Sequence, residues 1–337
     1  MSAFVHKQVP PGHGDIALYA ANDEGARNDV RLAVTIPTFR RPDHLLRTLS
    51  SVVAQSSPVP FALVVMENET EEREGAHAAA PLLSQSTVPS VVVLAHRRGN
   101  CAAYNVGWWT ALDRYPNLEW VLVIDDDEIA RPGWIASMIA AAEATGADFV
   151  GAPQVPRFET GADLTAASHP VFAPPYGATG PVPILYSSGN VLIRAERLRA
   201  HGHPWLDETF NFLGGGDSDF YARSERTGAT FAWCAEGALD ETVPARRSEL
   251  SWLNARALRN GSISALIERR AATEIADHAR RVLKSLALLG AAGPRSLLLA
   301  VRTRSLRKGL THMNVAVGRL LMEVGFANEQ YRAADRN

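Results

Sequence analysis

The chain has 337 residues, 46% hydrophobic and 21% charged, with a formal net charge of −2. This is a globular composition, enough for one large domain or a domain plus an appendage, and it implies neither a polyelectrolyte partner nor nucleic acid. Two cysteines, Cys101 and Cys234, are too few for a disulfide framework and suit a reducing, cytoplasmic setting.

Residues 1–29, mixed and punctuated by Pro and Gly, predict an irregular arm. They hold no apolar core of signal-peptide length, and no run of about 18 residues is both apolar and free of charge, so no membrane span is expected. "RLAVTIPTF" (31–39) reads as a strand, and the "RPDHLLRTLSSVVAQ" that follows has helical spacing. "FALVVME" (61–67) and "SVVVLAH" (90–96) are further strands. "GNCAAYNVGWWTALDRY" reads as a helix whose Trp108 and Trp109 supply core volume, and "EWVLVI" (119–124) as a fourth strand. "RPGWIASMIAAAEATG" predicts a helix with Pro132 in its first turn, and "ADFVGAP" (147–153) a fifth strand. Apolar strands alternating with helices predict a mainly parallel, Rossmann-like α/β sheet with helices on both faces. Ligands bind such sheets beyond the carboxyl ends of the strands.

A long segment rich in Pro, Gly and Ala follows residue 156, then strand and helix in "NVLIRAERL". "FNFLGGGDSDFYARSERTG" is a Gly-rich turn feeding a helix that begins near Asp217, and "ATFAWCAEG" is a late strand. From "SWLNARALRNG" onward the chain reads as helices. Residues 262–337 carry 13 Lys/Arg against 6 Asp/Glu, about +7, and residues 1–261 about −9. A basic tail of this kind marks either a nearby anionic surface, such as the inner face of a membrane, or a solvated helix face. Its apolar stretches also allow a homo-oligomer through the C-terminal helices.

"VLVIDDDEIARPGW" places Asp125, Asp126 and Asp127 at the end of the fourth strand. Clustered carboxylates need counter-charge, and a divalent cation with oxygen ligands, Mg²⁺ or Mn²⁺, supplies it. The alternative is a solvated acidic turn leading into the next helix.

The ordered set "VTIPTFRRPDHLLRTLSSVVAQ", "LVVMEN", "GNCAAYNVGWWTA" and "VLVIDDDEIARPGW" resembles the nucleotide-sugar half of a family 2 glycosyltransferase of GT-A fold. "GGGDSDFYARSERTGATFAWCAEGALDETVPARRSELSWLNARALRNG" is similar to the acceptor half, notably that of bacterial exopolysaccharide enzymes of the succinoglycan glucosyltransferase type. The resemblance implies a nucleotide-sugar half over residues 30–156, an acceptor half over 157–261 and a helical appendage over 262–337. It implies an inverting, metal-dependent transfer of sugar from a nucleoside diphosphate donor, such as a UDP-sugar, to an acceptor hydroxyl (saccharide, lipid-linked or natural product).

Residue by residue, the resemblance places Pro37, Thr38, Arg40 and Glu67 at the base and ribose, with Glu67 where the family commonly has Asp. Gly99, Asn100 and Asn105 close over the donor. Asp125 and Asp127 match the D-x-D pair that contacts ribose and metal, with Asp126 between them. Asp217 would be the general base, with Asp219 in reserve and a simple N-cap as the alternative. The acid that often precedes the base is Gly216 here. The family's His near "VP" is absent, leaving Asp240 as a third metal ligand. Trp252, Arg256 and Arg259 fall at i, i+4 and i+7 of one helix, suited to covering the acceptor and clamping diphosphate; they equally suit a basic surface helix anchored by Trp. Competing readings are a degenerate, nucleotide-sugar-binding scaffold and a nucleotidyltransferase of related fold, although the latter's Gly-rich, Lys-bearing opening loop is missing.

Overall fold

The computed structural model describes residues 15–326. In chain order the elements are β1 (Ile16–Ala21), β2 (Leu32–Thr38), α1 (Pro42–Val53), β3 (Phe61–Glu67), α2 (Glu74–Ser84), β4 (Ser90–Ala95), α3 (Asn100–Arg114), β5 (Trp120–Val123), β6 (Glu128–Ala130) and α4 (Trp134–Thr145). Then come β7 (Phe149–Gly151), β8 (Gln154–Phe158), β9 (Gly180–Val182), β10 (Val191–Arg194), α5 (Ala195–His201), α6 (Gly216–Arg226), β11 (Phe231–Trp233), β12 (Leu239–Val243), α7 (Leu250–Ala271), α8 (Ile275–Thr303) and α9 (Leu306–Glu323).

The main sheet has nine strands in the order β1-β4-β3-β2-β5-β10-β7-β11-β9. β2 pairs in parallel with β3 and β5, and β3 with β4. Every residue of β2 is buried, as its unbroken apolar run demands. One face carries Leu32, Val34, Ile36, Leu63 and Val65, packed with Leu45 and Leu49 of α1, Ala76 and Ala79 of α2, and Trp134 and Met138 of α4. α3 packs against β2, β3 and β4 on the other face, where Gly107 leaves room for the Met66 side chain. Burying each leucine here contributes about 1.5–3 kcal/mol. The fold is mixed α/β, mainly parallel at its centre, with β10 antiparallel to both β5 and β7.

Several local expectations change. The irregular arm contains β1, an edge strand antiparallel to β4 from Ile16↔Ala95 to Ala21↔Val91. α4 starts at Trp134, after Gly133 at φ 80, so Pro132 lies in the preceding turn rather than in the helix. α7 runs unbroken past residue 261. α8 is long and apolar enough, by length and composition, to cross a membrane. An inspection for charge-free runs passes over it because Lys284 and Arg295 interrupt its apolar middle.

The chain divides into two units. The first holds residues up to Val155, Pro174–Asn211 and Gly216–Glu241; the second holds Pro156–Ala173, Phe212–Gly215 and the chain from Thr242. In the second, α7 and α9 cross closely at two glycines: a Cβ on Gly261 would lie 2.0 Å from the Val315 carbonyl oxygen, and one on Gly318 1.9 Å from that of Leu258. Buried Arg319 ties α9 to α7 through Glu268 (2.6 Å) and Ser264 (2.7 Å).

Candidate active site

The site is built at the carboxyl end of β5. The chain turns there, with the Glu128 amide donating to the Asp125 carbonyl at 3.2 Å. The Thr48 hydroxyl of α1, 2.8 Å and 2.7 Å from the Asp126 and Glu128 carbonyl oxygens, pins the turn against the helix. The three aspartates therefore project from a rigid turn at the sheet's ligand-binding edge.

Each carboxylate has its own partners. Tyr104 of α3 donates a short hydrogen bond to Asp125 Oδ1. Thr38, the last residue of β2, donates to Asp126 Oδ2 at 2.8 Å. Arg41, at the start of α1, reaches both Asp126 Oδ1 (3.3 Å) and Asp127 Oδ2 (2.8 Å). Glu128 is fully buried and accepts from the Asp125 amide at 2.8 Å and from the Gln154 side chain. Gly189 lies against them: a Cβ there would sit 2.5 Å from Gln154 Nε2 and 3.1 Å from both Asp125 Oδ2 and Glu128 Oε1.

Burial dominates the electrostatics. It pushes the Asp125 carboxyl up, with the Asp127 charge adding to the effect and the Tyr104 hydroxyl opposing it. It pushes Asp126 up against the pull of Arg41, and Glu128 well above the usual carboxylate range.

Asp217 stands in the first turn of α6, one residue inside the helix start. Its Oδ2 accepts from the Ser188 amide at 3.0 Å and its Oδ1 from the Ser218 amide at 2.7 Å. Ser188, whose amide it binds, precedes Gly189, where a Cβ would sit 3.1 Å from Asp125 Oδ2, so one loop segment borders both carboxylates. Asp219 is buried in a 2.8 Å ion pair with Arg223.

The remaining sequence-derived candidates have definite places. Glu67 is fully buried, accepting from the Glu69 amide (2.8 Å) and the Ala76 amide (2.9 Å), so its carboxylate braces the start of α2. Arg40 turns away at φ 54 toward Glu69, 3.8 Å off, while Pro37 and Thr38 end β2 beside the cluster. Gly99 precedes α3 and exposed Asn100 begins it. Asn105 has another job: it is buried, donates to the Leu206 carbonyl (2.8 Å) and accepts from the Trp205 and Leu206 amides (3.1 and 2.9 Å). Asp240 pairs with Arg131 Nη2 at 2.5 Å. In the second unit, Trp252 stacks on Phe172 at 6.1 Å, with the Arg256 guanidinium 6.0 Å from its ring, and Arg259 is buried.

A family model described as Glycosyl transferase family 2 matches residues 33–198, from β2 through α5. That segment belongs to glycosyltransferase family 2. The glycosyltransferase is 26% identical over 324 residues to the succinoglycan biosynthesis protein ExoM of Rhizobium meliloti (strain 1021), covering 91% of this chain and 97% of that one. In fold it is similar to the mannosyltransferase PcManGT of Pyrobaculum calidifontis, solved with GDP-Man and Mn²⁺ (TM-score 0.53, 17% identity, 86% of this chain and 87% of that one). It is also similar to residues 1–349 of TarS from S. aureus (TM-score 0.50, 13% identity, 88% and 92%).

Sequence reasoning passed over four of the glycosyltransferase's site residues. Arg41 was overshadowed by its neighbour Arg40; only the turn between Thr38 and Pro42 decides which of the two faces the acids. Glu128 follows the three aspartates directly, so the run is four acids long. Tyr104 sits in the helix already singled out, and Gly189 in the Pro/Gly-rich segment whose side chains carry no motif.

Among the described residues, no group of three or more His, Cys, Asp or Glu side chains is arranged to hold a metal ion. A Mg²⁺ or Mn²⁺ ion held by one or two carboxylates and the substrate's phosphates needs fewer protein ligands. The oxygen donors of Asp125 and Asp127 fit such an ion. Asp240, the third ligand expected from the sequence, pairs with Arg131 in this structure.

Proposed function

We propose that this glycosyltransferase moves a sugar from a nucleoside diphosphate donor, with UDP-sugars as first candidates, to an acceptor hydroxyl, inverting the anomeric carbon. Polysaccharide or glycoconjugate biosynthesis is the setting that fits its similarity to ExoM. Two free, buried cysteines suit the cytoplasm. The observation that carries the reading is the buried carboxylate cluster at the end of β5, bordered by the Ser188–Gly189 segment that also binds Asp217.

Asp217 takes the proton of the acceptor hydroxyl while that oxygen bonds to the anomeric carbon. The bond from that carbon to the diphosphate oxygen breaks, and its electron pair leaves with the nucleoside diphosphate. The two amides bonded to Asp217 fix its carboxylate rather than leave it to sample rotamers. Asp127 and Asp125 would hold Mg²⁺ or Mn²⁺, which supplies positive charge for the departing diphosphate. Tyr104 holds Asp125, Arg41 holds Asp127, and the Thr48-pinned turn fixes the backbone that carries them.

Release of nucleoside diphosphate from a panel of nucleotide sugars, with Mn²⁺ or with EDTA, tests the reading. Metal-dependent release from one donor, raised by acceptor, is expected. Binding of every donor without any turnover would mark a nucleotide-sugar-binding scaffold instead.

A further inference from the structure

The helical second unit leaves one large face uncovered. Ile275, Val282, Leu283, Leu286, Leu297 and Val301 of α8 are all exposed large hydrophobics. At about 100° per residue they fall within roughly 100° of arc on one side of the helix, and exposed Leu298 extends that arc to roughly 160°. The most apolar stretch of α8 is only 11% buried, whereas the core helix of a soluble protein would be mostly buried. The buried positions Ser285 and Ala292 lie on a different side, and buried Ala300 marks the edge where the apolar face meets the protein.

Arg280, Lys284, Arg295 and Arg302 occupy roughly 60° of arc adjoining the apolar face. α8 carries five basic residues against one acid, Asp277. Seen along its axis, the helix has protein on one flank, a basic row on the other, and an apolar face between them.

We propose that α8 beds flat into an anionic lipid surface, its leucines in the acyl boundary and its basic row on lipid phosphates. A long helix with one apolar arc and a cationic edge has the composition of an interfacial helix. Long Arg and Lys side chains reach back to the headgroups while their stems lie on the apolar surface. Spanning the bilayer would drag Lys284 and Arg295 into hydrocarbon, and lying flat keeps both at the headgroups. A second copy of the chain is the poorer occupant, because its α8 offers the basic row only Asp277. The docking face belongs to the helical unit and does not depend on the sugar-transfer site.

Vesicle co-sedimentation of the full chain tests this, with neutral vesicles set against vesicles containing about one-third anionic lipid. Wild type is expected to pellet with the anionic vesicles and to lose most of that binding at about 0.5 M salt. Two variants separate the contributions, each checked for wild-type circular dichroism and melting: Leu297→Glu with Val301→Glu, and Arg280→Glu with Arg295→Glu and Arg302→Glu. The triple variant should lower the partition coefficient by roughly a hundredfold. Failure of folded wild type to bind anionic vesicles would overturn the proposal. So would a wild-type dimer, seen in sedimentation velocity, that the Leu297→Glu/Val301→Glu variant splits into monomers.

Discussion

Replacing Arg41 by Gln removes the one guanidinium bonded to both Asp126 and Asp127. The three side chains are 23%, 8% and 12% exposed, so this pair is shielded from water. Breaking a buried pair by removing one partner costs about 3–5 kcal/mol when the other charge stays buried. Asp126 softens that cost, because its carboxyl is already pushed up and takes a proton readily. The net loss should be roughly 2–3 kcal/mol near pH 7.5, a fall in Tm of about 4–8 °C. Arg41 stabilises the ionised form of Asp126, whose carboxyl is pushed up to about 7, so its contribution is present above that pH and fades as the pH falls through it. The difference in Tm between Arg41→Gln and wild type should therefore shrink from pH 7.5 to pH 5. Added Mn²⁺ should restore part of the loss at pH 7.5 by replacing the missing charge. Scanning calorimetry at the two pH values, with and without metal, measures all of this. An unchanged Tm at pH 7.5, or a larger difference at pH 5, would refute the electrostatic account.

Asp217→Asn should keep the fold and nucleoside diphosphate affinity but lose transfer by orders of magnitude; turnover within about threefold of wild type would shift the base role to another group. Gly189→Ala puts a methyl 2.5 Å from Gln154 Nε2 and should cost roughly 1–3 kcal/mol of stability, with weaker donor binding in calorimetry as Asp125 is displaced. Asp23→Asn should destabilise by about 3 kcal/mol, since its fully buried carboxylate pairs with Arg114 and Arg27. Burial pushes the Asp23 carboxyl up, but Arg114 outweighs it and the net shift is downward. Its stabilisation is thus present above about pH 4 and lost below, and acid titration of Tm should show that component in wild type only.

The sheet's centre was legible because β2, β3, β4 and β5 are unbroken apolar runs, which only a strand covered on both faces explains. The edges were less so. β1 has no fully buried residue along "IALYAA" and no period-two burial pattern, so only its pairing with β4 marks it as a strand. α2 was not assigned at all, because its buried face is Gly75, Ala76, Ala79 and Leu83, small residues with Pro81 among them. The same division holds at the site. Asp125, Asp126 and Asp127 are visible as charge in an apolar context, and Asp217 as an acid after glycines. Arg41, Tyr104 and Gly189 act through where the backbone carries them, and position relative to a turn is the quantity a single sequence encodes least directly.

Three adjacent aspartates are tolerated because no two of them use the same set of partners. Asp125 leans on a phenol, Asp126 on a threonine hydroxyl and a shared guanidinium, and Asp127 on that guanidinium. A solvated acidic turn would need none of this. Water would screen the charges, and the side chains would stand open rather than 8% and 12% exposed. Desolvation raises the attraction of the cluster for any cation, and Arg41 is the cation the chain itself provides. If Asp127 holds the proposed metal, Arg41 would have to give up that oxygen. The phosphates of the proposed donor would favour such an exchange, because they offer Arg41 anionic oxygens in place of Asp127. Metal affinity without nucleotide should accordingly be weak, and it should rise when a nucleoside diphosphate is present. Mn²⁺ titrations followed by electron paramagnetic resonance, with and without UDP, would show this as at least a tenfold gain in affinity. Equal affinity in the two titrations would mean that Arg41 does not compete for the site.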